Sequence, residues 1–237
     1  VFGLDALPCD VGHGEVDLLG VQSLVGGGAQ RDFLEFALAA GTALHLPHEE
    51  HEHGEEHEHH HHGKYDPHIW LDPVISQKFA KEIKDELVKK DSKHKDYYED
   101  NYNKLVKDLK GIDKDMKEAV KGNEGKTVYI SHDSIGYLAE RYHFQQEGVS
   151  GMNNEEPSQK DILALIKQIN QSKQPYILYE QNITSKITDV IRDETNAEPV
   201  SFNNLSVLSK EQANDKDLTF QSIMKKNIKA LDKALNQ

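Results

Sequence analysis

The fold class that the sequence predicts is α/β, with a parallel sheet, and three observations carry the prediction. From Thr127 onward, short runs rich in β-branched and aromatic residues recur: TVYIS at 127–131, PYILYE at 175–180 and PVSF at 199–202. Each run is followed by apolar residues at helical spacing, and strand–helix repetition calls for parallel strands covered on both faces. Ahead of this region, one narrow apolar stripe runs through a long Lys- and Asp-rich segment, the pattern of an amphipathic helix. The expected whole is a parallel sheet lobe flanked by helices and preceded by a long linker helix.

Taken in order, residues 1–46 are the part least determined by pattern. They hold Gly26-Gly27-Gly28 and an apolar stretch from Phe33 to Leu46. Phe33, Leu34, Phe36, Ala37, Leu38 and Ala40 are spaced for a short helix ending at Gly41, but no strand–helix repeat appears. Residues 47–64 form a His/Glu-rich loop with almost no apolar residues to pack, so it is expected to be solvated. Residues 65–122 carry the motif Asp66-Pro67-His68-Ile69-Trp70-Leu71-Asp72-Pro73 and two helices. In the first, Ile75, Phe79, Ile83 and Leu87 recur every fourth residue. The second starts near His94 and bears Tyr98, Tyr102, Leu105, Leu109, Ile112, Met116 and Ala119, which predicts roughly 25 residues and about 40 Å of helix.

Residues 123–237 make the sheet lobe. Its helices are expected over Ser134–His143, over Ser158–Gln171 with Ser158 as N-cap, over Ser185–Thr195 with Ile187, Val190 and Ile191 inward, and over Leu218–Leu235. In parallel sheets ligands collect at the carboxyl ends of strands. Those ends read Ser131-His132-Asp133, Tyr179-Glu180-Gln181-Asn182 and Asn203-Asn204.

The chemistry is concentrated in histidine. Of 14 histidines in the 237 residues, ten lie between His45 and His68, and neutral imidazole is the commonest ligand for zinc and its neighbours. Two grades of site are expected. His48, His51, His53, His57, His59, His60, His61 and His62, interleaved with glutamates, form a loose collector of divalent cations. His68, between two prolines and beside Trp70, the only Trp, is a ligand that can be held in place. His132, set between a strand and a helix, is its expected partner, which makes a shared metal site a better reading than two structural histidines. Glu180 is expected to ligate directly, to hold a metal-bound water, or to orient a histidine. His94 and His143 read as solvated.

A formal charge of −13 with 29% charged residues argues against nucleic acid as a partner and suits cation capture. The lone cysteine, Cys9, excludes an internal disulfide and a Cys-based zinc site. It follows Pro8, where a lipid-attachment motif carries a small residue, so it reads as an incidental thiol, and no signal pattern is visible.

Four stretches taken together, DPHIWLDP after the His/Glu loop, then SHDSIGYLAERYHF, EPSQKDILALIKQI and YEQNITSKI, resemble the zinc-binding proteins of bacterial ABC zinc importers, the ZnuA and AdcA type. The resemblance covers Glu49 to Gln237. It implies two α/β lobes joined by one long helix with Zn2+ held between them, of which this chain carries the helix and the C-terminal half. It maps two family ligands onto His68 and His132. A third family histidine lies in an N-terminal-lobe motif of the type PHxYEP, which this sequence lacks, and residues 1–46 are too few for that lobe. An acid in an Asn-Pro-Leu-Glu segment is a fourth ligand in some members; here the stretch reads Asn203-Asn204-Leu205-Ser206, and Ser206 is a poor ligand. By resemblance, then, the protein is an extracytoplasmic, monomeric zinc receptor, in the periplasm or as a surface lipoprotein, that serves a membrane ABC permease and is not an enzyme.

Two other functions fit parts of the sequence. A zinc hydrolase would use His68 and His132 as ligands and Glu180 as base, though no HExxH pair is present. A metal store would act through the His loop alone and have no use for His132. Zinc is preferred over manganese because imidazole, not carboxylate, dominates the donor set. Deleting Glu49–His62 is expected to lower the number of weakly bound zinc equivalents, counted by equilibrium dialysis, while cooperative thermal unfolding persists. A deletion variant that no longer unfolds cooperatively would show the loop to be structural.

Overall fold

The structure, a computed structural model, describes residues 66–151, 157–172, 174–180, 186–215 and 217–236. The expectations for residues 1–65, including the His-rich collector, lie outside the described residues. The first described element is a 3-10 turn, Ile69–Leu71. Helix α1, Pro73–Lys90, follows at once. Asp72 starts it, its Oδ1 accepting from Val74 N at 2.7 Å and Ile75 N at 3.0 Å, with Pro73 in the first position where no donor is needed. Helix α2, Lys95–Val120, packs along α1. Its buried residues, Leu109, Ile112, Met116, Ala119 and Val120, all lie in its C-terminal half. Tyr98, Tyr102 and Leu105, on the same stripe, are only half-buried, and of these three Leu105 packs against the core.

The sheet has four parallel strands: β1, Thr127–His132; β2, Gln145–Ser150; β3, Tyr176–Glu180; and β4, Glu198–Phe202. Their order is β2-β1-β3-β4. Strand β2 is the one the sequence reading missed. Its sequence QQEGVS lacks a β-branched or aromatic run, and only Val149 and Ser150 are buried. It is held instead by its ladder with β1, from Thr127 against Gln145 to His132 against Ser150. At the other margin, Pro199 sits within β4 opposite Ile177, and the neighbouring Glu198 N donates to Pro175 O at 2.7 Å.

Side chains alternate between faces along each strand, and the two faces have separate cores. Val128, Ile130, Leu178 and Phe202 face a core shared with α1, α2, the short helix α3 (Gly136–Tyr142) and the closing helix α7 (Phe220–Asn236). Tyr129, Val149 and Ile177 face the other way, against α4 (Gln159–Ser172) and α5 (Lys186–Glu194), which contribute Leu165, Ile169 and Ile191. Ser158 caps α4 as expected, its Oγ accepting from Asp161 N at 3.3 Å. Val190 on α5, expected to point inward, is 48% exposed, whereas Ile191 is buried and Ile187 packs against the same core, as expected. A further short helix, α6 (Lys210–Asn214), opens on a Ser209/Gln212 capping box.

The chain steps from β1 outward to β2, returns past β1 to β3, and continues to β4. The direction reverses between β1 and β3, and a reversal of this kind leaves a crevice at the carboxyl edge. Ile130 is registered against Leu178. Two residues further along, on the same face, come His132 and Glu180. Helix α3 ties the segment before α1 to this lobe through two side chains and reaches α2 through a third. Tyr137 OH donates to Asp66 O at 2.9 Å, Arg141 pairs with Asp72, and Tyr142 OH donates to Asp113 Oδ1 at 3.0 Å. Burial pushes the Tyr142 phenol well above its ordinary range, so it remains a donor. Helix α3 then stops at His143, which adopts a left-handed conformation with φ of 61°.

Gly148 in β2 lies beneath the residue that follows His132. A Cβ at position 148 would fall 2.8 Å from Asp133 N and 2.4 Å from its Oδ1. Gly148→Ala is therefore expected to destabilise the fold by about 1–3 kcal/mol, read from urea unfolding. Stability equal to that of the unchanged chain would mean that Asp133 gives way freely.

Candidate metal centre

His68 and His132 reach the same point from different supports. His68 stands just before the 3-10 turn, and its backbone is held by the carboxylate two residues earlier: His68 N donates to Asp66 Oδ1 at 2.9 Å. The same oxygen meets His68 Nδ1 at 2.6 Å. The turn itself closes through Ile69 N to Pro67 O at 2.8 Å, and Trp70 lies edge-on to the imidazole with ring centroids 5.4 Å apart. His132 is the last residue of β1, not one residue beyond the strand as the sequence reading had it, because the ladder to β2 continues through Ser150. Its Nδ1 lies 3.1 Å from Glu180 Oε2.

Each imidazole thus has a carboxylate on Nδ1. A carboxylate accepts, so Nδ1 carries the proton and Nε2 keeps its lone pair. The rings lie 5.0 Å apart between centroids at 73°, which brings both within reach of one ion, since imidazole bonds zinc at about 2.0–2.1 Å. His68 and His132 are buried, so the ion would be met by fixed rather than solvated donors.

Glu180, 3% exposed, has both oxygens engaged. Oε1 accepts from Ser134 Oγ at 2.5 Å. Oε2 accepts from Asn204 Nδ2 at 3.0 Å as well as meeting His132. Its own N donates to Ser131 Oγ at 3.1 Å. Of the three roles open to it in the sequence, orienting a histidine is the one its geometry serves. Asp66 behind His68 is the counterpart that sequence reasoning missed. Its signal was there, an acid two residues before a histidine across a proline. Ser134 and Asn204 were missed too, because serine and asparagine carry no charge pattern to single them out.

Ser206 N and Oγ both donate to Asn204 Oδ1, at 3.0 and 2.7 Å, so the Ser206 hydroxyl is committed to the loop. Among the described residues no group of three His, Cys, Asp or Glu is arranged to hold a metal: Asp66 and Glu180 are spent on the two imidazoles, and the pair supplies two positions of a shell. His94 and His143 are exposed, and His94 bonds Asp91 Oδ2 at 2.7 Å.

The family described as "ZnuA: Zinc-uptake complex component A periplasmic" matches residues 20–234. The chain is 38% identical over 188 residues to the high-affinity zinc uptake system protein ZnuA of Bacillus subtilis (strain 168), covering 79% of this chain and 59% of that protein. It is 30% identical over 205 residues to the zinc-binding lipoprotein AdcA of Streptococcus pneumoniae serotype 4, covering 84% of this chain and 40% of AdcA. The chain therefore spans about half the length of these curated relatives. Among solved structures it resembles a Zn(II)-bound variant of AdcAII from Streptococcus pneumoniae, with a TM-score of 0.64 at 28% identity over 73% of this chain and 61% of that one. The α/β lobe and its linker helix are thus those of metal-receptor solute-binding proteins.

With Nδ1 of each ring facing a carboxylate, the neutral forms of His68 and His132 are expected to be Nδ1-protonated in the metal-free chain. Nitrogen-15 spectra of labelled histidine read this directly, and Nε2-protonated rings would show that the carboxylates do not hold them.

Proposed function

Because the chain belongs to the ZnuA family of zinc-uptake components, we propose that it is the zinc-binding part of an extracytoplasmic receptor that hands Zn2+ to an ABC-type importer. The observation that carries the reading is the pair of buried imidazoles, 5.0 Å apart, each backed by its own buried carboxylate. His68 and His132 bind the ion through Nε2. Asp66 and Glu180 fix the two tautomers and raise the basicity of the ligands. Water or residues beyond the described ones complete the shell. The names of the relatives support zinc as cargo, and so does imidazole as the donor type that His68 and His132 bring to the site. The receptor is a monomer that works in the periplasm or as a surface lipoprotein, with a membrane permease as partner and no nucleic acid.

Receptor chemistry also suits the site better than catalysis. A hydrolytic base needs a free carboxylate oxygen near the metal-bound water, and both oxygens of Glu180 are already bonded within the protein. A store acting through the His loop alone would have no use for two buried, braced histidines.

His132→Ala is expected to lower zinc affinity by more than the 10–100-fold typical of outer partners, and by more than any single change among His48–His62. Competition with a chromophoric chelator measures it. An unchanged affinity in both His132→Ala and His68→Ala would overturn the site. Protonated imidazole has no lone pair to give, so affinity should fall as acid protonates the two rings; calorimetry giving a flat profile would point to carboxylate ligands.

A further inference from the structure

We propose that Asn204 is a positioning residue that holds the two metal-facing imidazoles in one frame, an inference that rests on reading His68 and His132 as the zinc ligands. The two histidines come from distant parts of the chain, and each has its own carboxylate. Asn204 touches both arms. Its backbone carbonyl accepts from Trp70 Nε1 at 2.8 Å, two residues after His68. Its side-chain Nδ2 donates at 3.0 Å to Glu180 Oε2, the oxygen that also meets His132.

The loop that carries Asn204 is itself clamped. Asn227 of α7 grips the backbone of the preceding residue from both sides: Asn203 N donates to Asn227 Oδ1 at 2.9 Å, and Asn227 Nδ2 donates to Asn203 O at 2.7 Å. Leu205 N returns to Asn203 Oδ1 at 2.8 Å, with Leu205 in a left-handed conformation at φ 61°. Asn204 Oδ1 accepts from Ser206, so both polar atoms of a side chain that is 5% exposed are in use. The arrangement requires an amide. An aspartate would keep the acceptor for Ser206 but set a like charge against Glu180, and an alanine would leave a buried carboxylate one donor short. Any movement of the loop carries Trp70 and Glu180 with it, so the distance between the two rings is kept.

Two variants of the full chain separate the arms. Trp70→Phe removes the indole donor and leaves a ring beside His68. Asn204→Asp removes the donor to Glu180 and leaves the acceptor for Ser206. Each is expected to weaken zinc binding roughly ten- to hundredfold and to change the visible spectrum of the Co(II)-loaded protein, with far-ultraviolet dichroism unchanged. In the metal-free chain, Asn204→Asp should disturb the nitrogen-15 ring signals of His132, and Trp70→Phe those of His68. Variants with unaltered zinc affinity, Co(II) spectrum and ring signals overturn the proposal. An unsubstituted chain that binds no zinc overturns the ligand reading instead, and the metal-free ring signals then decide on Asn204 alone. Should Asn204→Asp fail to fold, Trp70→Phe decides between the same outcomes.

Discussion

A carboxyl group buried as deeply as that of Glu180 is tolerated only when its oxygens are satisfied, and meeting that demand organises the carboxyl edge of the sheet. The partners of its oxygens come from two places, His132 and Ser134 at the end of β1 and Asn204 after β4, while its own N donates to Ser131 Oγ. These bonds join β1 to β3 where the switch in strand order opens a crevice, and they draw the loop after β4 over it. The same bonds set the orientation of His132.

The other half is built on different principles. His68 belongs to no strand or long helix, and its rigidity comes from short-range devices: Pro67, the 3-10 turn, and an aspartate that bonds both the backbone and the ring of His68. Helix α3 then fastens that knot to the lobe through Tyr137 and Arg141. Seven residues of helix thus serve less as a crossover than as a bracket. A strand end holds one histidine and a braced turn holds the other, and the two supports meet through Trp70 and the loop after β4.

Much of this was legible in the sequence because it rests on periodicity or on special residues. The stripe from Tyr98 to Ala119 gave the long helix to within a residue or two of Lys95–Val120. The β-branched runs marked β1, β3 and β4, and the prolines around His68 marked a constrained, buried histidine. What stayed hidden had no such signature. Strand β2 pairs through its backbone while its side chains read as a polar loop. Asn204 and Ser134 matter for where the fold brings them, next to a carboxylate remote in sequence, and no local pattern records that. Val190 shows the opposite error, an apolar residue at helical spacing that the fold leaves exposed.

Pro199 in β4 has a bearing on how copies of the chain behave when crowded. Backbone donors alternate sides along a strand. Glu198 N points toward β3, so position 199 would present its donor outward, and proline has none to present. On the far margin, β2 places the charged Glu147 amid its polar run. Both outer strands are therefore poor templates for a neighbouring sheet. An open parallel sheet of four strands is exposed to polymerising edge to edge; here the sequence of both outer strands blunts that route.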